Sequence, residues 1–362
     1  MTSNKRIGVV TGGGDCPGLN TVIRAVAKAA AQRGWETLGF FGGYEGLLEP
    51  RRFVNLDYNA ISGLLLRGGT ILGTANRGKF AAKTGHGESR GLQKELLDET
   101  KHGFEAMGLS GLVAIGGDGS LSIAQQLFEH GLPIVGVPKT IDNDLEGTVF
   151  TFGFDSAVAC ATDALDRLHT TAESHNRVMV LEVMGRYAGW IALMAGVAGG
   201  ADVILIPEVP FRYECICAKV RDREKQGKNF TLIVVAEGAR EKDGEFVTSG
   251  AQEADREARL GGIGAVVAAR VEKEIGREAR TCVLGHLQRG GSPTSFDRTL
   301  CSIFGAHAVE LIAAGDFGKM VAWHGSHVTA IKISDAVGRL KTVRPDGTVI
   351  RTAQALGISL GN

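Results

Sequence analysis

The chain has 362 residues, of which 52 are glycine and only 8 are proline, and its 40 Lys+Arg residues balance its 40 Asp+Glu residues. Roughly 25 glycines would be usual at this length, yet the absence of a Gly-X-Y period excludes collagen, and a hydrophobic content of 44% excludes a disordered chain. Zero net charge argues against nucleic-acid and membrane-surface partners. Because collagen and disorder are excluded, the glycine surplus belongs to a folded chain whose backbone comes close to another group.

Short β-branched segments alternate with amphipathic segments, and this pattern predicts parallel sheets covered by helices on both faces. The predicted strands are residues 7–11, 37–41, 112–115, 134–137, 178–183, 203–206, 232–236 and 281–284. The predicted helices are residues 19–32, 92–101, 121–130, 156–171, 188–197, 213–225 and 296–313. Residues 76–90 are polar and basic, which predicts a surface loop.

The length predicts about two domains, with a boundary near residues 147–155, where acidic and turn residues cluster. The six cysteines form no CxxC pair, which predicts reduced thiols and no zinc framework. The apolar run after Lys5 and Arg6 is too short for a signal peptide. The most apolar stretch, residues 190–206, is interrupted by Asp202 and three glycines, so it is not a clean membrane span. We therefore expect a cytoplasmic protein.

The first glycine motif, residues 11–18, reads Thr-Gly-Gly-Gly-Asp-Cys-Pro-Gly and joins the first predicted strand to the first helix. Its backbone N–H groups can converge on an anion, although a tight strand–helix turn is the alternative. Pro17 stands where the dinucleotide fingerprint needs its last glycine. Residues 73–79 satisfy G-x4-G-K, but Phe80 replaces the Ser/Thr that would hold magnesium, so we treat that match as coincidence.

The second glycine motif, residues 116–120, reads Gly-Gly-Asp-Gly-Ser and again links a strand to a helix. Its carboxylate, Asp118, could hold Mg²⁺ while the surrounding amides bind phosphates. The alternative is an aspartate that caps the helix N-terminus.

A third motif, residues 138–144, reads Pro-Lys-Thr-Ile-Asp-Asn-Asp and follows a predicted strand, where open α/β sheets bind ligands. Phosphoryl transfer to an alcohol needs a group that accepts the hydroxyl proton. Asp142 or Asp144 could be that base, and Lys139 and Thr140 could hold phosphate oxygens. The alternative is a polar turn with capping aspartates.

Together with residues 182–189 (Glu-Val-Met-Gly-Arg-Tyr-Ala-Gly) and 285–293 (Gly-His-Leu-Gln-Arg-Gly-Gly-Ser-Pro), these motifs resemble the phosphofructokinase family over residues 6–310. The resemblance implies an α/β fold of two Rossmann-like lobes with mainly parallel sheets sandwiched by helices. It implies a larger donor-phosphate lobe, residues 1–152 plus about 288–340, and a smaller sugar-phosphate lobe, residues 153–287 plus about 341–362. The implied activity is the glycolytic transfer of phosphate from ATP–Mg²⁺ to the 1-hydroxyl of fructose 6-phosphate.

The resemblance also implies a role for each motif residue. Asp142 would be the base, Asp118 would bind Mg²⁺, and His286 and Arg289 would bind the 6-phosphate. The rest of the catalytic set would be Lys139, Thr140, Asp144 and Arg186. The donor would contact Gly13, Gly14, Asn76, Arg77, Gly117, Asp118, Gly119 and Ser120. The sugar would contact Thr140, Ile141, Asp142, Met184, Gly185, Arg186, Glu237, Leu287 and Gln288. Arg177 and Arg280 would come from a neighbouring subunit of a homodimer or homotetramer with a shared active site.

Two positions bear on the phosphoryl donor. Lys139 resembles the pyrophosphate-using branch of the family, whereas Gly119 is small where pyrophosphate users commonly carry aspartate. An aspartate there would crowd and repel the α-phosphate of a nucleotide, so Gly119 favours ATP, and a pyrophosphate-dependent phosphofructokinase is the alternative. Another small-molecule kinase that shares only the Gly-Gly-Asp-Gly loop is disfavoured by the residues around His286. A non-catalytic sugar-phosphate or nucleotide sensor would be expected to lose carboxylates that this chain retains.

Overall fold

A computed structural model describes residues 5–74, 78–80, 91–248 and 260–362. Its strands are β1 (Arg6–Thr11), β2 (Glu36–Phe40), β3 (Phe53–Asn55), β4 (Leu109–Gly116), β5 (Ile134–Pro138), β6 (Val178–Val183), β7 (Val203–Leu205), β8 (Thr231–Ala236), β9 (Ala279–Val283), β10 (Lys319–His324) and β11 (His327–Lys332). Its helices are α1 (Leu19–Ala31), α2 (Lys94–Ala106), α3 (Asp118–Glu129), α4 (Phe154–His175), α5 (Trp190–Ala198), α6 (Tyr213–Lys225), α7 (Ile263–Ile275), α8 (Ser295–Ala314), α9 (Ile333–Ala336) and α10 (Thr348–Ala355).

All eight predicted strands and all seven predicted helices are present, with ends shifted by a few residues. The strands β3, β10 and β11 and the helices α7, α9 and α10 were not among the predicted elements. Most of these elements are short or pair at a sheet edge, so contacts distant in the chain, rather than local pattern, stabilise them. Helix α7 is different, because its apolar residues recur at helical spacing, which is a local sequence signal.

The chain divides into two compact units. The first unit comprises residues 1–141, 145–155 and 289–340, and the second comprises residues 142–144, 156–288 and 341–362. No helix in the described part of the chain is both long enough and apolar enough to cross a membrane.

The first unit contains a seven-stranded sheet in the order β11-β10-β5-β4-β1-β2-β3. Its central strands are parallel, while β3 and β11 pair antiparallel at the two edges. Helices cover the central strands, and the apolar residues of β1 are at most 1% exposed. This near-continuous apolar run is the pattern expected of a parallel strand buried on both faces.

The second unit contains a four-stranded parallel sheet in the order β7-β8-β6-β9. Its core consists of apolar side chains from these strands and from α6 and α7. The predicted α/β class with mainly parallel sheets is therefore confirmed. In both units the carboxyl ends of the neighbouring parallel strands lie at the same end of the sheet, where ligands bind in open α/β folds.

Candidate active site

The three motifs near the start of the chain follow β1, β4 and β5, which are neighbours in the first sheet. Gly12 N donates to Ile115 O at 2.9 Å, and Lys139 N donates to Gly116 O at 2.9 Å. These bonds continue the strand pairing into the loops. The glycine motifs predicted from the sequence therefore lie side by side at the carboxyl ends of these strands.

Side chains from neighbouring loops fill the space where these glycines lack a Cβ. A Cβ on Gly13 would lie 3.2 Å from Lys139 Nζ and 3.4 Å from Ser120 Oγ. A Cβ on Gly14 would lie only 1.8 Å from Arg289 Nη1, so position 14 requires glycine as long as Arg289 occupies this place. We call Gly13, Gly14, Ser120, Lys139 and Arg289 the glycine-loop cluster. Two cations beside exposed backbone amides suit a phosphate group.

Asp118 is the first residue of α3, directly after the Gly116–Gly117 turn. Its Oδ1 accepts a hydrogen bond from Gly338 N at 2.9 Å. Among the described residues there is no group of three or more His, Cys, Asp or Glu side chains that could enclose a metal. A single half-buried carboxylate fits Mg²⁺, which usually takes one or two protein carboxylates and completes its shell with water and substrate phosphate.

The segment from Pro138 to Asp144 leaves β5 in the first unit and enters the second unit at Asp142. Thr140 O accepts a hydrogen bond from Thr151 Oγ1 at 2.7 Å. Asn143 has a φ of 51°, a left-handed conformation that asparagine tolerates better than most residues. The two carboxylates on either side of Asn143 therefore belong to a turn rather than to a strand or helix.

A cavity of about 320 Å³ lies in the second unit at the carboxyl ends of β6, β8 and β9. Four of its lining residues were predicted to bind the sugar: Met184, Arg186, Glu237 and His286. The other lining residues are Glu182, Val183, Leu260, Gly261, Gly262, Val283 and Gly285. The cavity thus combines cationic, acidic and apolar groups, as a small polar ligand requires.

Glu182 is a buried carboxylate in this cavity to which the sequence analysis assigned no role. It accepts hydrogen bonds from Gly262 N at 3.0 Å and Gly264 N at 2.8 Å, at the N-terminus of α7. The free N–H groups and the dipole of that helix stabilise a carboxylate there. The Gly261-Gly262 pair before the apolar periodicity of α7 is the sequence signal that could have predicted a helix N-terminus at this position.

Gln288 and Gly185 are predicted substrate residues that adjoin residues lining the cavity. The side chain of Gln288 is fully buried; it donates to Gly285 O at 3.0 Å and accepts from Met184 N at 3.3 Å. Gly185 has a φ of 140°, and its carbonyl oxygen accepts from Gly238 N at 3.1 Å. Leu287 is 68% exposed and does not line the cavity formed by the described residues.

Arg177 and Arg280 lie away from this cavity, at the amino ends of β6 and β9. Both guanidinium groups bind Glu278, and the hydrogen bond from Arg177 is the main cause that lowers the pKa of this carboxyl. Along β6, Arg177 is separated from the cavity-lining Val183 by roughly 20 Å, at about 3.3 Å per residue. Asn76 and Arg77, predicted at the donor, lie outside the described residues.

The family described as Phosphofructokinase matches residues 6–312. An ATP-dependent 6-phosphofructokinase of Chloroflexus aurantiacus is 51% identical over 100% of this chain and 99% of its own length. A pyrophosphate–fructose 6-phosphate 1-phosphotransferase of Streptomyces coelicolor is 49% identical over 94% of this chain and 96% of its own length.

A solved structure of Pichia pastoris phosphofructokinase in the T-state is 30% identical, with a TM-score of 0.81. The similarity covers 93% of this chain but 36% of that longer chain. The family match, the full-length identity near 50% and the shared fold agree with the motifs at the strand ends. The chain belongs to the phosphofructokinase family.

Proposed function

We propose that this protein transfers the γ-phosphoryl group of ATP to the 1-hydroxyl of fructose 6-phosphate, forming ADP and fructose 1,6-bisphosphate. The observation that carries the proposal is the glycine-loop cluster, where Lys139 and Arg289 lie against bare backbone at the ends of parallel strands. Relatives named for ATP and for pyrophosphate match at similar identity. Gly119 favours ATP, because it adds neither bulk nor charge where an α-phosphate would lie.

The proposed donor site uses the first unit. Gly13, Gly14, Gly117 and Ser120 would surround the phosphates, and Lys139 would offset their charge as the transition state forms. Asp118 would hold Mg²⁺, whose charge would offset the negative charge of the donor phosphates.

The proposed sugar site uses residues of the second unit, to which Asp142 and Asp144 belong. Asp142 would take the proton of the 1-hydroxyl while the oxygen of that hydroxyl forms a bond to the γ-phosphorus. At the same time the bond between the γ-phosphorus and the β-phosphate oxygen breaks, and ADP leaves. Arg186 would offset charge on the transferring group, and Glu237 would accept hydrogen bonds from sugar hydroxyls. His286 and Arg289 would bind the 6-phosphate. Additional sugar contacts would come from Thr140, Ile141, Met184, Gly185, Leu287 and Gln288, and Asp144 would support the base.

The donor is tested by steady-state assays of the purified enzyme. With fructose 6-phosphate and Mg²⁺ saturating, we expect turnover with ATP and at least about tenfold lower kcat/KM with pyrophosphate, because the pyrophosphate anion lacks the adenosine moiety and the α-phosphate contacts. A chelator should abolish turnover, and added Mg²⁺ should restore it. Activity with pyrophosphate alone would assign the protein to the alternative branch.

We further propose that the enzyme is a homodimer or homotetramer in the cytoplasm, with Arg177 and Arg280 completing the sugar site of a neighbouring subunit. The supporting observation is their position at the strand ends opposite the cavity of their own second unit. Arg177, roughly 20 Å from the cavity-lining Val183 along β6, cannot reach its own cavity with its side chain.

Mixing two inactive variants tests this shared site. Co-expressed Arg177→Ala and Asp142→Asn subunits should regain about a quarter of wild-type kcat, because half of randomly paired dimers carry one intact site of two. Arg177→Ala mixed with Arg280→Ala is the matched control and should stay inactive, since every mixed site then lacks one arginine. Recovery in the control, or none in the first mixture, would contradict sharing.

A further inference from the structure

The C-terminal tail, residues 341–362, belongs to the second unit together with residues 142–144. The first tail residue, Lys341, contacts this short segment twice. Its backbone N–H donates to Asp144 O at 2.9 Å, and its Nζ donates to Asn143 Oδ1 at 2.8 Å. The tail therefore binds the two residues that follow Asp142 in the chain.

Asn143 needs such a partner more than an ordinary turn residue does. Its φ of 51° lies in the left-handed region, a sparsely populated conformation that persists only where surrounding contacts hold it. A hydrogen bond from an ammonium group is stronger than one between neutral groups. Lys341 thus supplies a contact that favours the turn conformation on the carboxyl side of Asp142.

Lys341 is itself held by Trp190, the first residue of α5. Trp190 Nε1 donates to Lys341 O at 2.8 Å, and Lys341 Nζ lies 5.9 Å from the centre of the Trp190 ring. Two residues further along the tail, Val343 N donates to Glu208 Oε1 at 2.7 Å. The same carboxylate oxygen accepts from Gly189 N at 3.0 Å. The tail is therefore hydrogen-bonded at Lys341 and again two residues beyond it.

We propose that Lys341 is a positioning residue for Asp142, acting through Asn143 and Asp144. The inference rests on the proposed phosphoryl transfer and gives the C-terminal tail a role in it. Lys341 holds the turn that orients the base, while substrate affinity depends on other residues. Its loss therefore lowers kcat and leaves the KM values nearly unchanged.

The first experiment compares Lys341→Met and Lys341→Arg with the wild type. Lys341→Met should lower kcat about tenfold, within the roughly 10²-fold that a misplaced catalytic group can cost, with KM for both substrates changed less than twofold. Lys341→Arg retains a donor and should recover most of kcat. Lys219→Met is the matched control, because Lys219 Nζ also donates to the tail, at Gly357 O and 2.7 Å, on an exposed surface. It should keep wild-type kinetics.

The second experiment tests the contact independently of catalysis. Asn143→Gly removes the amide and tolerates the left-handed φ, so Lys341→Met and Asn143→Gly should be non-additive both in kcat and in the midpoint of urea unfolding. A wild-type kcat in Lys341→Met, a raised KM with unchanged kcat, or additive effects in both measurements would each overturn the role of Lys341. An inactive wild type would overturn the proposed function instead. The non-additivity of the two variants in the midpoint of urea unfolding would then still test whether Lys341 and Asn143 interact.

Discussion

Asp142→Asn should lower kcat for phosphorylation of fructose 6-phosphate by about 10²–10⁴, the usual contribution of a positioned general base. The amide cannot accept the proton of the 1-hydroxyl, but it has nearly the size of the carboxyl group and can keep hydrogen bonds to the sugar. KM for both substrates should therefore stay within a few-fold of wild type. Initial rates with varied ATP and fructose 6-phosphate measure both quantities.

Two further Asp→Asn variants sharpen this test. Asp144→Asn alters the other carboxylate of the same segment and should cost less in kcat than Asp142→Asn if Asp142 is the base. Asp222→Asn removes an exposed carboxylate that pairs with Lys225 on α6, and it should behave as wild type. A larger loss in Asp144→Asn would transfer the role of base to Asp144, and an unchanged kcat in Asp142→Asn would remove Asp142 from it.

Gly119→Asp should lower kcat/KM for ATP by about 10²-fold or more, because a like charge beside a phosphate costs several kcal/mol, and each 1.4 kcal/mol is about tenfold. Pyrophosphate has no α-phosphate, so its kcat/KM should change only a few-fold. The ratio of the two kcat/KM values, measured on the same preparation, reports the donor preference.

The folded state should accept this substitution. Gly119 lies in the first turn of α3, where an acidic side chain interacts favourably with the helix dipole, and aspartate has a higher helix propensity than glycine. Gly119→Ala is the matched control, since it adds a methyl group without charge and should cost much less ATP activity. If Gly119→Asp leaves the ATP-to-pyrophosphate ratio unchanged, residue 119 does not select the donor.

The role of Glu182 illustrates why part of the site could not be predicted. Its position at the end of β6 was evident, but the bonds that hold it come from Gly262 and Gly264, about eighty residues later in the chain. Lys341 and Asn143 are separated by 198 positions. No periodicity or turn signal near either residue encodes such a contact, because it depends on how the whole unit packs.

Features that depend on short segments of the chain could be predicted from the sequence alone. The amino-acid sequence by itself determined the α/β class, the positions of the central strands, the three loops that follow β1, β4 and β5, and the family to which the chain belongs. These features depend on β-branched runs, on glycines that free the backbone and on carboxylates within a few residues of one another, all of which are properties of short segments.

Only the tertiary structure decided which of these segments meet. The strand order β5-β4-β1 brings Lys139 against Gly13, and the return of the chain after α7 and β9 places Arg289 against Gly14. It also places Arg177 and Arg280 at the far ends of their strands and binds the C-terminal tail to Asn143. The physical reason is that strand order and tail docking minimise the free energy of the whole chain, through buried contacts between residues that no local pattern connects.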